Sequence, residues 1–328
     1  MNKGSKSTNK PHTRSRREFL ATSAMLSAMA LTPVPGGRAR GASLARAETI
    51  MPARLEANNL VALVNPASAR YQVIPTEIMA ESIEALGLRV RRSANYFARR
   101  GYMAGTDQQR ADDINAAFAD PEVKAIWATG GWGSARVLPL LDYDLIRANP
   151  KVLVGYSDAT ALLNAVYSKT GLVNFHGPFP RSPITAAYQR SLLIDAQGAD
   201  LTNPQRVSDD ETVVTQHRIR TLTSGTAEGK LIGGNLTVLS AIVGSDFLPS
   251  FDGAILFLED VNEAVYRVDR MLTQLKLAGI LERISGFVFG NCTECDPDSS
   301  YGSLTLEEAI RDHIDPLGVP AWMGAMVG

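Results

Sequence analysis

The sequence has 328 residues, 45% of them hydrophobic, so the chain can bury one large core or two ordinary ones. Residues 1–47 hold nine Lys and Arg against one Glu, and the remainder carries 24 basic and 33 acidic residues, a net charge of −9. Such an acidic protein is a poor partner for nucleic-acid phosphates, so nucleic-acid binding is not expected.

The N-terminal segment has the features of an export signal. Ser15 to Leu20 read SRREFL, which matches the twin-arginine pattern, and an apolar run continues to Val34. Ala45-Arg46-Ala47 then offers small residues for cleavage. We expect residues 1–47 to be a twin-arginine signal peptide and the mature protein to be periplasmic, with no stable membrane insertion after cleavage. A basic tail or a membrane anchor is the alternative.

Strand and helix patterns alternate in the first half of the mature chain. Apolar runs at Leu60–Val64, Ala125–Thr129 and Val152–Gly155 are typical of buried strands. Helical spacing follows at Thr76–Leu86 and Ala159–Ser168. The alternation predicts an α/β domain over residues 48–205, built on a parallel sheet that is covered on both faces.

The second half has a different texture. Residues 206–228 are polar and read as a linker, after which residues 229–328 predict a smaller C-terminal α/β domain. Lys230–Gly234 reads as a glycine turn, and Ala254–Leu258 as a strongly apolar strand. Tyr266–Leu277 has the spacing of an amphipathic helix.

Two serines follow predicted strands and precede predicted helices. Ser134 ends the sequence GGWGS, whose glycines permit positive φ and close approach of a substrate to the main chain. Ser157 lies in GYSDA, which is nearer to the GxSxG pattern of serine hydrolases. Ser157 and Asp158 also read simply as helix N-caps. The local pattern does not choose between the two serines as a nucleophile.

A serine nucleophile requires a base and a carboxylate that orients it. Glu259 and Asp260 stand at the end of the ILFLED strand, where acidic side chains often face a cleft; helix capping is the alternative. Of the mature histidines, only His176 follows a predicted strand. His217 falls in the linker, and His313 is expected on a helix surface.

The two cysteines form a CxxC pair, Cys292 and Cys295. No second CxxC and no paired histidines accompany them, so a zinc site is not predicted. A loop pair that oxidises after export is the favoured interpretation.

Longer motifs occur in a fixed order along the mature chain: GGWGSARVLPLLDYD, PKVLVGYSDATALLNAVYSKTGLVNFHGP, EGKLIGGNLTVLSAIVG and ILFLEDVNEAVYRVDRMLTQLKLAG. Together they resemble the serine LD-carboxypeptidases, a family that includes the microcin-immunity peptidases. The resemblance runs from about Leu60 to the end of the sequence.

The resemblance implies a fold and a reaction. The fold would be a Rossmann-like N-terminal domain with a smaller C-terminal domain, commonly in a dimer. The reaction would release terminal D-alanine from murein tetrapeptides by hydrolysis of an L-to-D peptide bond, without metal or cofactor. Ser134 would be the nucleophile and Glu259 the triad carboxylate, and the N–H groups of Ala135 and Gly131 would form the oxyanion hole. Beyond the resemblance, Ser157, Asp158 and His176 are expected in the substrate cleft.

One departure from the family pattern affects the expected activity. The family histidine follows a stretch like PAWMGAMVG, and the printed sequence ends with that stretch at Gly328. We therefore expect a truncated copy with little activity, unless His176 substitutes as the base. A peptidase acting on peptide–nucleotide conjugates, or a periplasmic module that binds muropeptides without cleaving them, are the alternatives.

Overall fold

The structure is a computed structural model that describes residues 48–203, 212–213, 218–295 and 302–327. The predicted signal peptide lies outside the described residues, and so does the predicted domain boundary at 205–206. Both stay predictions.

The described elements mostly alternate between strand and helix. The strands are β1 (Leu60–Val64), β2 (Arg89–Arg92), β3 (Val123–Ala128), β4 (Val152–Gly155), β5 (Phe175–His176), β6 (Arg220–Thr223), β7 (Leu231–Asn235), β8 (Ile255–Val261), β9 (Gly286–Thr293) and β10 (Ala321–Met323). The α-helices are α1 (Val73–Glu84), α2 (Asp107–Ala119), α3 (Tyr143–Ala148), α4 (Thr160–Thr170), α5 (Pro183–Gln189), α6 (Leu236–Ala241), α7 (Val265–Leu277) and α8 (Leu306–Ile314). Short 3-10 helices span Ser134–Leu140, Ser157–Ala159, Leu281–Arg283 and Asp315–Leu317, and a π-helical turn spans Arg190–Ile194.

The first sheet has the order β2-β1-β3-β4-β5, and all its strand pairs are parallel. Every residue of β1 is buried because helices cover both faces of the sheet. Leu60, Ala62 and Val64 face one hydrophobic core, whereas Val61 and Leu63 face the other. The predicted parallel α/β architecture is confirmed.

The second sheet has the order β6-β10-β9-β8-β7. Its pairs are parallel except for β6, which runs antiparallel to β10. The glycine turn expected at Lys230–Gly234 is wrong, since Gly233 and Gly234 lie inside β7. A side chain at Gly233 would overlap the Phe257 carbonyl of the neighbouring strand, so these glycines serve close packing rather than a turn.

The two sheets share one continuous core and are joined by hydrogen bonds from α4. The Asn164 side chain donates to the Gly233 carbonyl at 2.9 Å, and the Thr160 hydroxyl accepts from the Asn235 N–H at 3.0 Å. The start of α4 is thereby fixed against the carboxyl end of β7.

Two side-chain pairs settle expectations from the sequence. His313 is buried and hydrogen-bonded to Asp269 at 2.8 Å, so its expected place on a helix surface is wrong. It lies on the face of α8 that packs against α7. Cys292 and Cys295 are joined by a disulfide at the end of β9. In the described ranges, no helix is both long enough and apolar enough to cross a membrane.

Candidate active site

The segment Gly130–Ser134 leaves the carboxyl end of β3, and it is called the nucleophile loop here after the role predicted for Ser134. Gly131 and Gly133 have φ values of 147° and 92°, which L side chains rarely adopt. Ser134 is fully buried and begins the 3-10 helix, while Trp132 is 70% exposed. The loop therefore turns its serine inward and its indole outward.

Asp158 anchors this loop through its main-chain amides. One carboxylate oxygen accepts from the Gly133 N–H at 3.0 Å and the other from the Ser134 N–H at 2.8 Å. The Ser134 hydroxyl donates to the Asp158 carbonyl oxygen at 2.5 Å. Asp158 is itself buried, so these charge-assisted bonds lie out of water.

Two arginines hold carbonyl groups of the same loop. Arg70 donates to the Gly130 oxygen at 2.6 Å. The buried Arg110, on α2, donates to the Gly133 oxygen at 3.0 Å, and its other nitrogen pairs with Asp107. The loop is thus anchored by a carboxylate on its amides and by guanidinium groups on its carbonyls.

Glu259 and His176 lie together at the carboxyl ends of β8 and β5. The Nε2 atom of His176 is 3.5 Å from Oε1 of Glu259, which is 1% exposed. The imidazole is flanked by the rings of Tyr156 and Phe257, at centroid distances of 5.3 and 5.4 Å. Neither nitrogen of the His176 ring has a hydrogen-bond partner, and neither does Glu259 Oε1. These buried atoms can therefore still form hydrogen bonds to a further group.

Asp260, the neighbour of Glu259, has a different environment. Its carboxylate accepts from the Asn235 amide and from both the N–H and the hydroxyl of Thr237, each at 2.9 Å. Burial nevertheless raises the pKa of Asp260 above its ordinary value. The hydrogen bonds of Asp260 therefore hold β8 against β7 and α6.

Tyr156 lies between the nucleophile loop and the carboxylates of Glu259 and Asp260. Its carbonyl oxygen would lie 3.0 Å from a Cβ atom added at Gly130. Burial raises the pKa of the Tyr156 phenol, and the carboxylates of Glu259 and Asp260 raise it further. The carboxyl ends of β3, β4, β5 and β8 consequently meet around this tyrosine.

The remaining sequence candidates lie in the same region. Ala135 follows Ser134 in the 3-10 helix, and Gly131 packs so closely on Ser68 that a side chain there would overlap the Ser68 hydroxyl. Ser157 has φ of 58° and begins its own short helix. Within the described ranges, no hydrogen bond joins Ser134 to Glu259 or His176.

Two adjacent cavities border His176. They have volumes of about 390 and 450 Å³, share Phe175, Leu231 and Val327, and have mostly apolar walls. Ser134 lines neither of them. Among the described side chains, no group of three or more His, Cys, Asp or Glu is arranged to hold a metal ion.

Sequence reasoning missed both arginines. Arg110 carries a readable signal, because it stands four residues before the buried Ile114 on α2 and so places a charge on an apolar helix face. No comparable pattern marks Arg70, whose role depends on a contact 60 residues away.

Two family models match the sequence of this chain. The model described as "LD-carboxypeptidase N-terminal domain" matches residues 61–177, and the model described as "LD-carboxypeptidase C-terminal domain" matches residues 228–328. The chain belongs to the LD-carboxypeptidase family. Both the nucleophile loop and Glu259 fall within the matched ranges, so the resemblance inferred from the ordered motifs is confirmed.

Relatives of known sequence or structure support this membership. The probable murein peptide carboxypeptidase of Bacillus subtilis is 37% identical over 75% of this chain and 76% of its own length. The murein tetrapeptide carboxypeptidase of Pseudomonas aeruginosa is 34% identical over 80% and 85%. The microcin C7 self-immunity protein MccF, solved in complex with aspartyl sulfamoyl adenosine, is 28% identical with a TM-score of 0.73, covering 85% of this chain and 90% of MccF. LD-carboxypeptidases are hydrolases, and this chain has their two-sheet α/β fold.

Proposed function

We propose that this protein is a serine-type LD-carboxypeptidase that removes terminal D-alanine from murein tetrapeptides during peptidoglycan turnover. The proposal rests on two features that both lie beside Tyr156: the anchored nucleophile loop and the buried Glu259. The names of the murein carboxypeptidases among its relatives supply the substrate class.

In the proposed reaction, Ser134 Oγ attacks the carbonyl carbon of the L-to-D peptide bond as an imidazole removes its proton. The C–N bond breaks, the imidazolium returns the proton to the leaving D-alanine nitrogen, and an acyl-enzyme remains. Water then releases the tripeptide by the same steps. Glu259 would orient the imidazole and stabilise its charged form.

The oxyanion of the tetrahedral intermediate requires N–H donors. The amides of Gly133 and Ser134 already donate to Asp158, so they are committed elsewhere. We assign the oxyanion hole to the N–H groups of Ala135 and Gly131. No metal or cofactor enters this scheme.

The proposed reaction requires a base that accepts the Ser134 proton. The Ser134 hydroxyl donates to a main-chain carbonyl, and no described histidine accepts its proton. His176 lies against Glu259 but makes no hydrogen bond there. The proposed scheme therefore assigns the base to no histidine of the described residues.

A tetrapeptide hydrolysis assay tests this scheme. The 328-residue chain is compared with a form extended by a family C-terminal segment that begins with histidine. Ser134→Ala and Glu259→Gln are made in the extended form. We expect D-alanine release from the extended form, its loss in Ser134→Ala, and a decrease of about 10⁴-fold in Glu259→Gln. Undiminished D-alanine release by Ser134→Ala would refute the assignment of the nucleophile.

We further propose export to the periplasm by the twin-arginine signal at Arg16 and Arg17, and a homodimeric mature protein. Substitution of both arginines by lysine should retain the protein in the cytoplasm, as read by cell fractionation. Light scattering after size-exclusion chromatography measures the oligomeric state, and a monomeric mass would refute the dimer.

The likeness to MccF favours a second substrate class, the peptide–nucleotide conjugates. The largely apolar cavities beside His176 offer room for a flat aromatic group. A non-catalytic muropeptide-binding module is the other alternative. Calorimetric titration of the 328-residue chain with a tetrapeptide and with aspartyl sulfamoyl adenosine separates these. Tight tetrapeptide binding without hydrolysis by any form would favour the binding module.

A further inference from the structure

Arg70 lies in the loop between β1 and α1, and its side chain reaches the nucleophile loop. Its Nη2 atom donates to the Gly130 carbonyl oxygen at 2.6 Å in a partly buried position. A guanidinium bond to a carbonyl is charge-assisted and directional, so it restrains the orientation of that carbonyl.

The carbonyl of Gly130 and the N–H of Gly131 belong to one peptide plane. A trans peptide is rigid, so the direction of its C=O fixes the direction of its N–H on the opposite side. Glycine on both sides of this bond leaves the plane free to rotate unless something holds it. Arg70 therefore sets where the Gly131 N–H points.

The loop that carries Arg70 is itself well anchored. Asn65 donates to the Ser68 carbonyl at 3.0 Å, and the Ala69 N–H donates to the Tyr102 carbonyl at 2.8 Å. Ser68 also packs directly on Gly131. Because its support is rigid, the guanidinium can act as a fixed reference for the peptide plane.

We propose that Arg70 is a positioning residue that aims the Gly131 N–H at the oxyanion of the reaction. The inference rests on the proposed function, since it takes Ser134 as nucleophile and Gly131 as an oxyanion donor. Arg70 also polarises the peptide group, because its positive charge draws electron density towards the carbonyl oxygen and strengthens the N–H as a donor.

Nuclear magnetic resonance can observe this peptide group selectively. The sequence contains three Gly–Gly pairs, at residues 36–37, 130–131 and 233–234. Labelling glycine with ¹³C at the carbonyl and with ¹⁵N leaves three correlated carbonyl–amide signals in the full chain. The 130–131 signal is assigned as the one lost in Gly130→Ala, and the 233–234 signal serves as an internal control of the fold.

Arg70→Met removes the donor but keeps an apolar stem of similar length. We expect the Gly130 carbonyl resonance to move upfield and the Gly131 N–H residual dipolar coupling to change, while the 233–234 signal stays in place. Arg70→Lys, which retains one charged donor, should restore part of both. If Arg70→Met does not fold, Arg70→Lys alone is compared with the wild type. An unchanged Gly131 coupling in folded Arg70→Met, or in Arg70→Lys where that is the comparison, would overturn the proposal.

Kinetics separate this inference from the proposed function. In the tetrapeptide assay on the extended form, Arg70→Met should lower kcat about 10–100-fold with little change in KM, because the donor acts on the transition state. If the peptide plane moves but kcat does not, the positioning role is wrong, although a Ser134-dependent activity would stand. If no form hydrolyses tetrapeptide, the proposed function fails while the resonance data still report on the Arg70 contact.

Discussion

Replacement of Asp158 by Asn tests how the nucleophile loop is held. The asparagine keeps one oxygen acceptor, but its NH₂ group then faces the N–H of either Gly133 or Ser134. One charge-assisted bond is lost and one buried N–H is left without an acceptor. Hydrogen bonds to charged groups contribute about 1.5–3 kcal/mol, so we expect the free energy of unfolding to fall by about 2–4 kcal/mol.

Two further variants bracket this value. Asp158→Ala leaves both amides without the carboxylate and should cost about 3–5 kcal/mol. Asp312→Asn is the matched control, because Asp312 is exposed on α8, and it should change stability by less than about 0.5 kcal/mol. Urea denaturation followed by circular dichroism measures all three. If Asp158→Asn remains within about 0.5 kcal/mol of the wild type, Asp158 does not anchor the loop in the way described.

Three other predictions concern the stability of the fold. Burial lowers the pKa of Lys151 to about 8, so the unfolded chain binds more protons than the folded protein between pH 7.5 and 9.5. The free energy of unfolding should therefore rise by about 1 kcal/mol over this range, after allowance for partial solvation. Urea titrations of Lys151→Met should lack this rise, and an equal rise in the variant would contradict the assignment. Gly131→Ala should lower the thermal midpoint of unfolding more than Gly101→Ala does. Both glycines have positive φ, but only at Gly131 would the added methyl group overlap a neighbouring residue, Ser68. Equal decreases in the midpoint would count against this close contact. His313→Leu should cost about 1–2 kcal/mol by loss of its bond to Asp269, measured by urea denaturation, and a stabilised variant would contradict this.

The sequence predicted the elements that depend on local pattern. The alternation of β1 with helical segments was enough to identify a parallel sheet, because strands buried on both faces must be apolar throughout. The longer ordered motifs then selected Ser134 over Ser157 as the expected nucleophile. That selection came from the resemblance, since both serines stand between a strand and a helix.

What the sequence did not reveal depends on contacts between distant segments. Gly233 and Gly234 read as a turn, but they lie in β7, where Phe257 of the neighbouring strand and Thr160 of α4 approach too closely for side chains. Asp158 looked like a helix cap or a cleft residue, yet its carboxylate binds amides 24 and 25 residues away. Arg70 gave no local signal because its partner is brought to it only by the fold.

The position of β10 between β6 and β9 affects the order in which this protein can fold. The first sheet uses residues 60–176 and is complete once that segment has left the ribosome. The second sheet contains a gap between β6 and β9 until residues 321–323 arrive to fill it. Contacts that close such long loops form slowly, so the sheet that carries Glu259 should consolidate only after residue 323 has been synthesised. Ser134 would then be in place before its proposed carboxylate partner, and a nascent chain would have no assembled active site.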